Sequence, residues 1–194
     1  VSLVWQQQNL AGYAAPKTEQ EHEKLRAGKL HAVDMRGSMA HPDHDSSGDM
    51  CIWAQRNAGQ RITAVAANPY MQNLIWPIHR TGALDGPIMP PHISHEEINR
   101  EPSRRAPNKG WLCVQQRLEP RGRAELNLGL SWFFPNHHSI RKTRIGHVYE
   151  NWFGSAVDVA RYQQRNRPGL LERSLRLPTL MMESTLPLSL KLGL

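Results

Sequence analysis

The chain has 194 residues, a length that suits one folded domain with an appended segment and is short for two full domains. Leu, Ile, Val and Phe together contribute only 41 residues, but six tryptophans add enough apolar area for a modest core. No apolar run approaches the roughly 20 residues of a membrane-spanning helix, and residues 1–30 lack the pattern of a secretory signal.

The formal net charge of +7 is concentrated in one part of the chain. Residues 100–176 hold 15 Lys and Arg against 6 Asp and Glu, and almost all of these cations are arginines. Arginine suits phosphate or carboxylate recognition and contacts between domains, so this region is either a solvated basic face or a binding surface.

Residues 1–135 alternate short apolar segments with polar, Pro- and Gly-rich connections, a pattern that predicts β-strands. Val1, Leu3 and Trp5 already alternate at the first residues, so we expect this sequence to be an excerpt that begins within a strand. The predicted strands are 1–6, His31–Arg36, Met50–Arg56, Arg61–Ala66, Trp111–Leu118 and Ala124–Phe134.

The last two predicted strands should form a β-hairpin. The segment 119–123 between them, Glu-Pro-Arg-Gly-Arg, has the composition of a turn. Because side chains alternate along a strand, Leu126, Leu128, Leu130 and Trp132 should face one side and Asn127, Gly129, Ser131 and Phe133 the other.

A long loop is predicted from Pro87 to Pro107, because five prolines interrupt any regular element there. After Pro135 the pattern becomes helical. A first helix should end by Arg167, before Pro168-Gly169, and further helical pieces are expected over Leu170–Arg176 and from Thr179. The apolar residues that should share one face of the first helix are Tyr149, Trp152, Phe153, Ala156, Val157 and Ala160.

Several side-chain groups could hold a metal ion by residue type alone, but their spacing fits no established zinc or calcium pattern. We expect each of them to be a solvated turn. The groups are His41-Pro-Asp-His44-Asp45 with Asp49, His92-Ile-Ser-His95-Glu96, and His137-His138.

No pattern of catalytic chemistry is present in the sequence. It contains no nucleophile elbow, phosphate-binding loop or dinucleotide fingerprint. Cys51 and Cys113 both lie in apolar strand segments, which predicts free, buried thiols and favours a reducing compartment. We therefore assign no catalytic, cofactor-binding or metal-binding residue.

Several segments nevertheless resemble the amino-terminal domain of glycoside hydrolase family 116. Residues 128–136, Leu-Gly-Leu-Ser-Trp-Phe-Phe-Pro-Asn, resemble the end of its last long strand, and residues 146–160 look like its linker helix. Trp76–Leu84, Glu183–Pro187 and the start of the chain around Leu3 are similar to further family segments in the expected order. Ser155 departs from the family, which usually has an acidic residue there, as do His137 and His138.

The resemblance implies a mainly β fold. Residues 1–145 would form an incomplete β-sandwich domain that lacks its first strands, and residues 146–194 the linker helix and the start of a helical catalytic domain. The rest of that (α/α)6 barrel is absent from this sequence.

The activity implied by the family is that of a retaining β-glucosidase or glucosylceramidase, which hydrolyses β-glucosides or glucosylceramide. Both of the family's catalytic carboxylates lie in the barrel, so none is carried over and residues 1–194 alone should be inactive. The expected partners are the barrel of the same protein and its glucoside or lipid substrate, without nucleic acid, cofactor or transmembrane segment. The expected location is the cytoplasm, including the surface of a membrane.

Structural roles are expected for the aromatic residues of the two strongest motifs. Trp132, Phe133 and Phe134 should seat the last strand in the sandwich core. A sugar-stacking platform at Trp111 or Trp152 is an alternative use. The residues expected to bury the linker helix between sandwich and barrel are Trp152, Phe153, Ala156 and Val157.

Two other functions remain open from the sequence. A basic β domain with exposed Trp and Arg could bind nucleic acid through phosphate contacts and base stacking, although no known nucleic-acid motif accompanies the charge. A stand-alone carbohydrate-binding sandwich is the second alternative.

Overall fold

The computed structural model describes residues 1–11, 19–38, 42–66, 77–84 and 109–192. Two compact units are formed, one by Val1–Ala160 and the other by Arg161–Leu194. The predicted domain boundary after residue 145 remains a prediction, and the predicted loop from Pro87 to Pro107 lies outside the described residues.

The described residues of the first unit form seven strands in two antiparallel sheets. This mainly β, two-sheet architecture confirms the predicted fold class. The smaller sheet has the order β1-β6-β5, with β1 (Ser2–Gln8), β5 (Gln60–Ala66) and β6 (Lys109–Gln116). The larger sheet has the order β2-β3-β4-β7, with β2 (Glu19–Ala27), β3 (Leu30–Ser38), β4 (Asp49–Gln55) and β7 (Asn127–Phe133).

The main core lies between the inner faces of the two sheets. Strict alternation places Val33 and Met35 of β3 in this core, while Ala32 and Asp34 point to the outer face of the same sheet. The buried members of the core are Val33, Met35, Met50, Ile52, Ala54, Leu112 and Val114.

Each sheet also has an apolar cluster on its outer face. Residues 77–84 cover Trp111 and Cys113 on the three-stranded sheet, and the backbone N–H of Leu84 donates to the hydroxyl of Thr63 at 3.0 Å. The four-stranded sheet carries Cys51 beneath a helix described below. Cys51 and Cys113 are buried and form no disulfide, as predicted.

The predicted hairpin between 111–118 and 124–134 is wrong. β6 pairs with β1 and β5, whereas β7 pairs with β4, where Leu130 lies opposite Ile52. Residues 119–122 do turn, since the N–H of Gly122 donates to the Glu119 carbonyl at 2.8 Å. Turn composition shows that the chain reverses, but pairing depends on contacts that are distant in sequence, and this turn carries the chain between the two sheets.

Strand β2 was not predicted from the sequence, because its residues Glu19–Ala27 are mostly charged and show no apolar alternation. It is an edge strand, where charged side chains keep contact with water. Gly28, with a φ of 60°, permits the tight turn that pairs Ala27 with Leu30 of β3.

The helical part differs from the prediction at both ends. Val148–Asn151 is a 3-10 turn, and the α-helix, α1, begins only at Ala156 and continues to Glu183. Because α1 continues through Pro168 and Pro178, the prediction that the helix ends by Arg167 is wrong, and so is the prediction of separate helical pieces after it. Both prolines lie on exposed positions, where water can satisfy the carbonyl groups that lose their helical donors. A short helix, α2 (Leu188–Leu192), follows.

Candidate functional site at the connecting segment

The first turn of α1 lies on the outer face of the four-stranded sheet. Ala156, Val157 and Ala160 are buried there in one cluster with Trp53 and Phe133. Small side chains at 156 and 160 bring the helix backbone close to the strands. The predicted packing of Ala156 and Val157 against the sandwich is therefore confirmed, and their contact with a barrel remains a prediction.

Ala156 is held by side chains of two adjacent strands. Oδ2 of Asp49 on β4 accepts a hydrogen bond from the N–H of Ala156 at 2.7 Å. The hydroxyl of Ser131 on β7 donates to the Ala156 carbonyl at 2.9 Å. Ser155 caps the same helix end, since its Oγ accepts a hydrogen bond from the N–H of Asp158 at 3.1 Å. The start of α1 is thus fixed in position and direction.

Two buried carboxyl groups share this surface. Burial raises the pKa of Asp49 to about 6, against the opposing effect of the Ala156 N–H, and the nearby Asp34 carboxylate raises it further. Burial also raises the pKa of Asp34, although Arg36 contacts its Oδ2 at 2.6 Å. Oδ1 of Asp34 has no hydrogen-bond partner among the described residues. Burial thus disfavours the charged form of both carboxyl groups, whereas the helix N-terminus beside Asp49 favours its negative charge.

The connecting segment, residues 134–155, carries a column of rings. Tyr149 packs edge-on against Phe133 with ring centroids 5.7 Å apart and stacks on His147 at 5.1 Å. His147 in turn stacks on His137 at 5.1 Å. The Tyr149 hydroxyl also donates to the Phe134 carbonyl at 2.6 Å and accepts from the Phe134 N–H at 3.3 Å. These contacts hold the segment against the end of β7.

Asn136 joins the segment to the loop 42–48. Its buried side-chain Nδ2 donates to the carbonyl groups of Pro42 at 2.6 Å and of His44 at 3.2 Å. Its Oδ1 accepts a hydrogen bond from Nε of Arg144 at 3.0 Å, and Arg144 also pairs with Glu150 at 2.5 Å. One amide side chain therefore positions both segments.

Besides Ile140, which lies in the turn 139–142 and is fully exposed, three apolar side chains of this segment face solvent. The exposed fractions are 60% for Ile145, 69% for Val148 and 71% for Trp152. We call these three the docking residues. Exposed apolar side chains on a fixed backbone are typical of binding surfaces, because little conformational entropy is lost when a partner covers them.

Not every aromatic residue has its expected place. Trp132 is 54% exposed and Trp152 is also largely exposed, so neither seats its element in a core formed by the described residues. Phe133 and Phe134 do pack, but into clusters on opposite faces of the sheet. Trp111 is buried under residues 77–84, which excludes a sugar-stacking role for it in this structure.

The predicted histidine groups do not gather around one point in the part of the chain that is described. Nδ1 of His138 is hydrogen-bonded to Oδ1 of Asp45, and His44 is hydrogen-bonded to Ser46 at 2.9 Å. Within the described ranges, no three His, Cys, Asp or Glu side chains lie close enough together to hold a metal ion. His41, His92 and His95 lie outside the described residues.

Sequence reasoning missed the buried polar residues that fix the helix, above all Asp34, Asp49 and Ser131. Asp49 and Ala156 are 107 positions apart, and no local pattern indicates their contact. The cap was detectable, because Ser155-Ala-Val-Asp158 has the Ser-x-x-acidic spacing of a helix start.

Comparison with known proteins fits the fold just described. A family model described as beta-glucosidase 2, glycosyl-hydrolase family 116 N-term, matches residues 1–170. A search among curated proteins found no match. No helix in the described part of the chain is long and apolar enough to cross a membrane. With most of its length matched and a mainly β architecture, the chain belongs to glycoside hydrolase family 116, as part of that family's amino-terminal domain.

Proposed function

We propose that residues 1–194 are the non-catalytic part of a retaining β-glucosidase and that they orient a catalytic (α/α)6 barrel. The observation that supports this role is the exposure of the docking residues on a segment whose backbone is fixed. An amino-terminal domain of a glycoside hydrolase implies a catalytic partner domain, and the barrel would cover these side chains.

The connecting segment is suited to transmit a fixed orientation. Asn136, Tyr149 and Asp49 attach it to the sandwich at three separate points before the helix continues. A domain held in this way loses little further freedom when it docks, so most of the apolar burial would stabilise the assembled enzyme.

The proposed substrates are β-glucosides, with glucosylceramide as the specific lipid substrate, and the proposed site of action is the cytoplasm. The substrate proposal rests on the family resemblance. The location is supported by Cys51 and Cys113, which are buried and form no disulfide, because a reducing compartment keeps cysteines as thiols.

The test is to express both residues 1–194 and the complete gene product that contains them. Each is incubated with an aryl β-glucoside and with glucosylceramide. We expect hydrolysis only by the complete product, and a complete product that cleaves neither substrate would overturn the proposal. If the complete product cleaves the aryl glucoside alone, glucosylceramide is not a substrate and that part of the proposal is wrong.

The docking role is tested with Trp152→Ser and a matched variant, Ile140→Ser, at a fully exposed position of the same segment. Trp152→Ser should lower the melting temperature of the complete product and leave that of residues 1–194 unchanged. Equal effects of the two variants on the complete product would contradict a docking role for Trp152.

A further inference from the structure

The charged side chains of the edge strand β2 are separated by face. Lys24 lies opposite the core residue Val33, so Lys24 and Arg26 are on the inner face of the sheet. Glu23 is on the outer face, where it approaches Arg36 of β3 at 3.9 Å. Positive charge on the inner face therefore runs along β2 toward the turn that joins it to β3.

Three basic side chains lie together at this end of the sandwich. Arg26 is directly opposite His31 in the register of β2 and β3. Arg56 follows β4, and its N–H donates to the carbonyl of Lys29, in the turn between β2 and β3, at 2.8 Å. Burial lowers the pKa of His31, and the positive charges of Arg26 and Arg56 lower it further, so both guanidinium groups lie near this ring. We call Arg26, His31 and Arg56 the basic cluster.

Among the described residues, no carboxylate pairs with Arg26 or Arg56. Elsewhere in the sandwich such partners occur, since Arg36 contacts Asp34 at 2.6 Å. Within the described ranges, the charges that shift the pKa of His31 are both positive. Like charges that lie close together repel each other, so a bound anion would stabilise the basic cluster. Both arginines are exposed, and a ligand can reach them from solvent.

Arg56 is held in position by a neutral acceptor. Its Nε donates to the backbone carbonyl of Gln60 at 3.1 Å, which leaves the guanidinium charge uncompensated. Gln60 is itself buried, and its side chain bonds the Glu125 carbonyl at 2.8 Å and the Asn57 N–H at 2.9 Å. The two Nη groups of Arg56 have no hydrogen-bond partner in the part of the chain that is described. These groups form the fork with which arginine binds phosphate or carboxylate oxygens.

We propose that Arg26 and Arg56 form a binding site for a phosphate group, with His31 beside it. Two guanidinium charges match a phosphate monoester, whose charge is about −2 at neutral pH, better than they match a carboxylate with its single charge. A soluble phosphate ester and the headgroup of phosphatidic acid present this same chemistry. The site does not depend on the proposed function, because it uses neither the docking residues nor α1.

The first measurement is isothermal titration calorimetry of inorganic phosphate into the complete gene product at constant ionic strength. Arg26→Gln should weaken binding by about ten-fold or more, because a charge-assisted contact is lost. Arg141→Gln, at an exposed position of the connecting segment, is the matched control and should bind as the wild type does. Absence of binding, equal weakening in both variants, or equal affinity for acetate would overturn the proposal.

The second measurement needs no variant and follows the His31 ring by NMR in the same protein with isotope-labelled histidine. Phosphate bound by the two arginines compensates their positive charge, so saturating phosphate should raise the pKa of His31. A pKa of His31 that is the same with and without phosphate would overturn the proposal, even if phosphate binds elsewhere. Removal of one positive charge in Arg26→Gln should raise this pKa in the absence of phosphate.

Vesicle flotation distinguishes the two sources of the phosphate group. The vesicles contain phosphatidylcholine alone, or phosphatidylcholine and phosphatidic acid in equal parts. If the wild type floats only with phosphatidic acid and Arg26→Gln does not float, the ligand is a lipid headgroup. Phosphate binding without flotation supports a soluble ester, and equal flotation of both proteins would contradict a lipid at this site. β-Glucosidase activity of the same wild-type sample tests the proposed function separately.

Discussion

Asp49 on β4 and Ala156 at the start of α1 are joined by a hydrogen bond of 2.7 Å from the Ala156 N–H to a carboxylate that is 8% exposed. The bond gives a buried charge a partner and gives a helix N–H an acceptor. Asp34 lies near Asp49 on the neighbouring strand and adds like charge to the site. The fixed helix start therefore depends on a carboxylate that is held at an energetic cost.

The first prediction concerns the pH dependence of that cost. The folded-state pKa of Asp49 is about 6, above its ordinary value of 3.8, so the folded chain binds this proton more tightly than the unfolded chain. Below about pH 4, binding of this proton stabilises the folded chain by its full amount of roughly 3 kcal/mol. This stabilisation is lost as the pH rises through 6. Asp49→Asn keeps a carbonyl acceptor for Ala156 and removes the titrating group.

Urea unfolding at a series of pH values checks this prediction. From pH 7.5 down to pH 4, the unfolding free energy of the wild type should rise relative to that of Asp49→Asn. The exposed Asp43→Asn variant is the control and should follow the wild type. A difference between wild type and Asp49→Asn that stays constant across this range would contradict the raised pKa.

The second prediction concerns Gly129, which lies directly beneath the indole ring of Trp53 on the outer face of the sheet. A Cβ at this position would overlap the ring, and the buried Trp53 has little room to move. Gly129→Ala should therefore destabilise the first unit by roughly 1–3 kcal/mol in urea unfolding. Gly169→Ala is the control, because its added methyl group meets nothing within 4 Å and should be neutral or stabilising. Similar losses in both variants would show that Trp53 does not pack on Gly129.

The sequence was most informative where structure is local. The alternation along β7 correctly predicted that Leu128 and Leu130 share one face and Ser131 and Phe133 the other, because the pleat of a strand fixes this pattern. The family motifs also located the connecting segment and the buried face of the helix start.

What failed depends on partners that are distant in sequence. The predicted turn is present at 119–122, but the strands on either side of it belong to different sheets. β6 pairs with β1 and β7 pairs with β4, and both partners lie much earlier in the chain. Strand β2 was not predicted, because an edge strand needs little apolar burial and therefore shows little apolar alternation. The contact of Asp49 with Ala156 has no local signal at all.

A third prediction separates the two functions of the Asn136 side chain. Asn136→Asp keeps an acceptor for Arg144 and removes the N–H donors to the carbonyl groups of Pro42 and His44. We expect a loss of about 1–3 kcal/mol in the free energy of unfolding, because a buried donor is replaced by a charged acceptor beside carbonyl oxygens. Asn151→Asp, at an exposed position, should cost much less. Faster amide exchange of residues 43–48 in Asn136→Asp alone would localise the effect, and unchanged exchange there would count against a positioning role.

The fourth prediction concerns the continuity of α1 through Pro168. A proline inside a helix removes one backbone donor and clashes with the preceding turn, at a cost of about 3 kcal/mol relative to alanine. Because Pro168 lies within α1 on an exposed position, Pro168→Ala should increase helical ellipticity at 222 nm and the thermal stability of the helix. Pro187→Ala, between α1 and α2, is the control and should change neither. The decisive measurement is the backbone carbon chemical shifts of residues 164–172 in the wild type. We expect helical values on both sides of Pro168. Coil values after Arg167 would show that the helix ends there, as the sequence alone predicts.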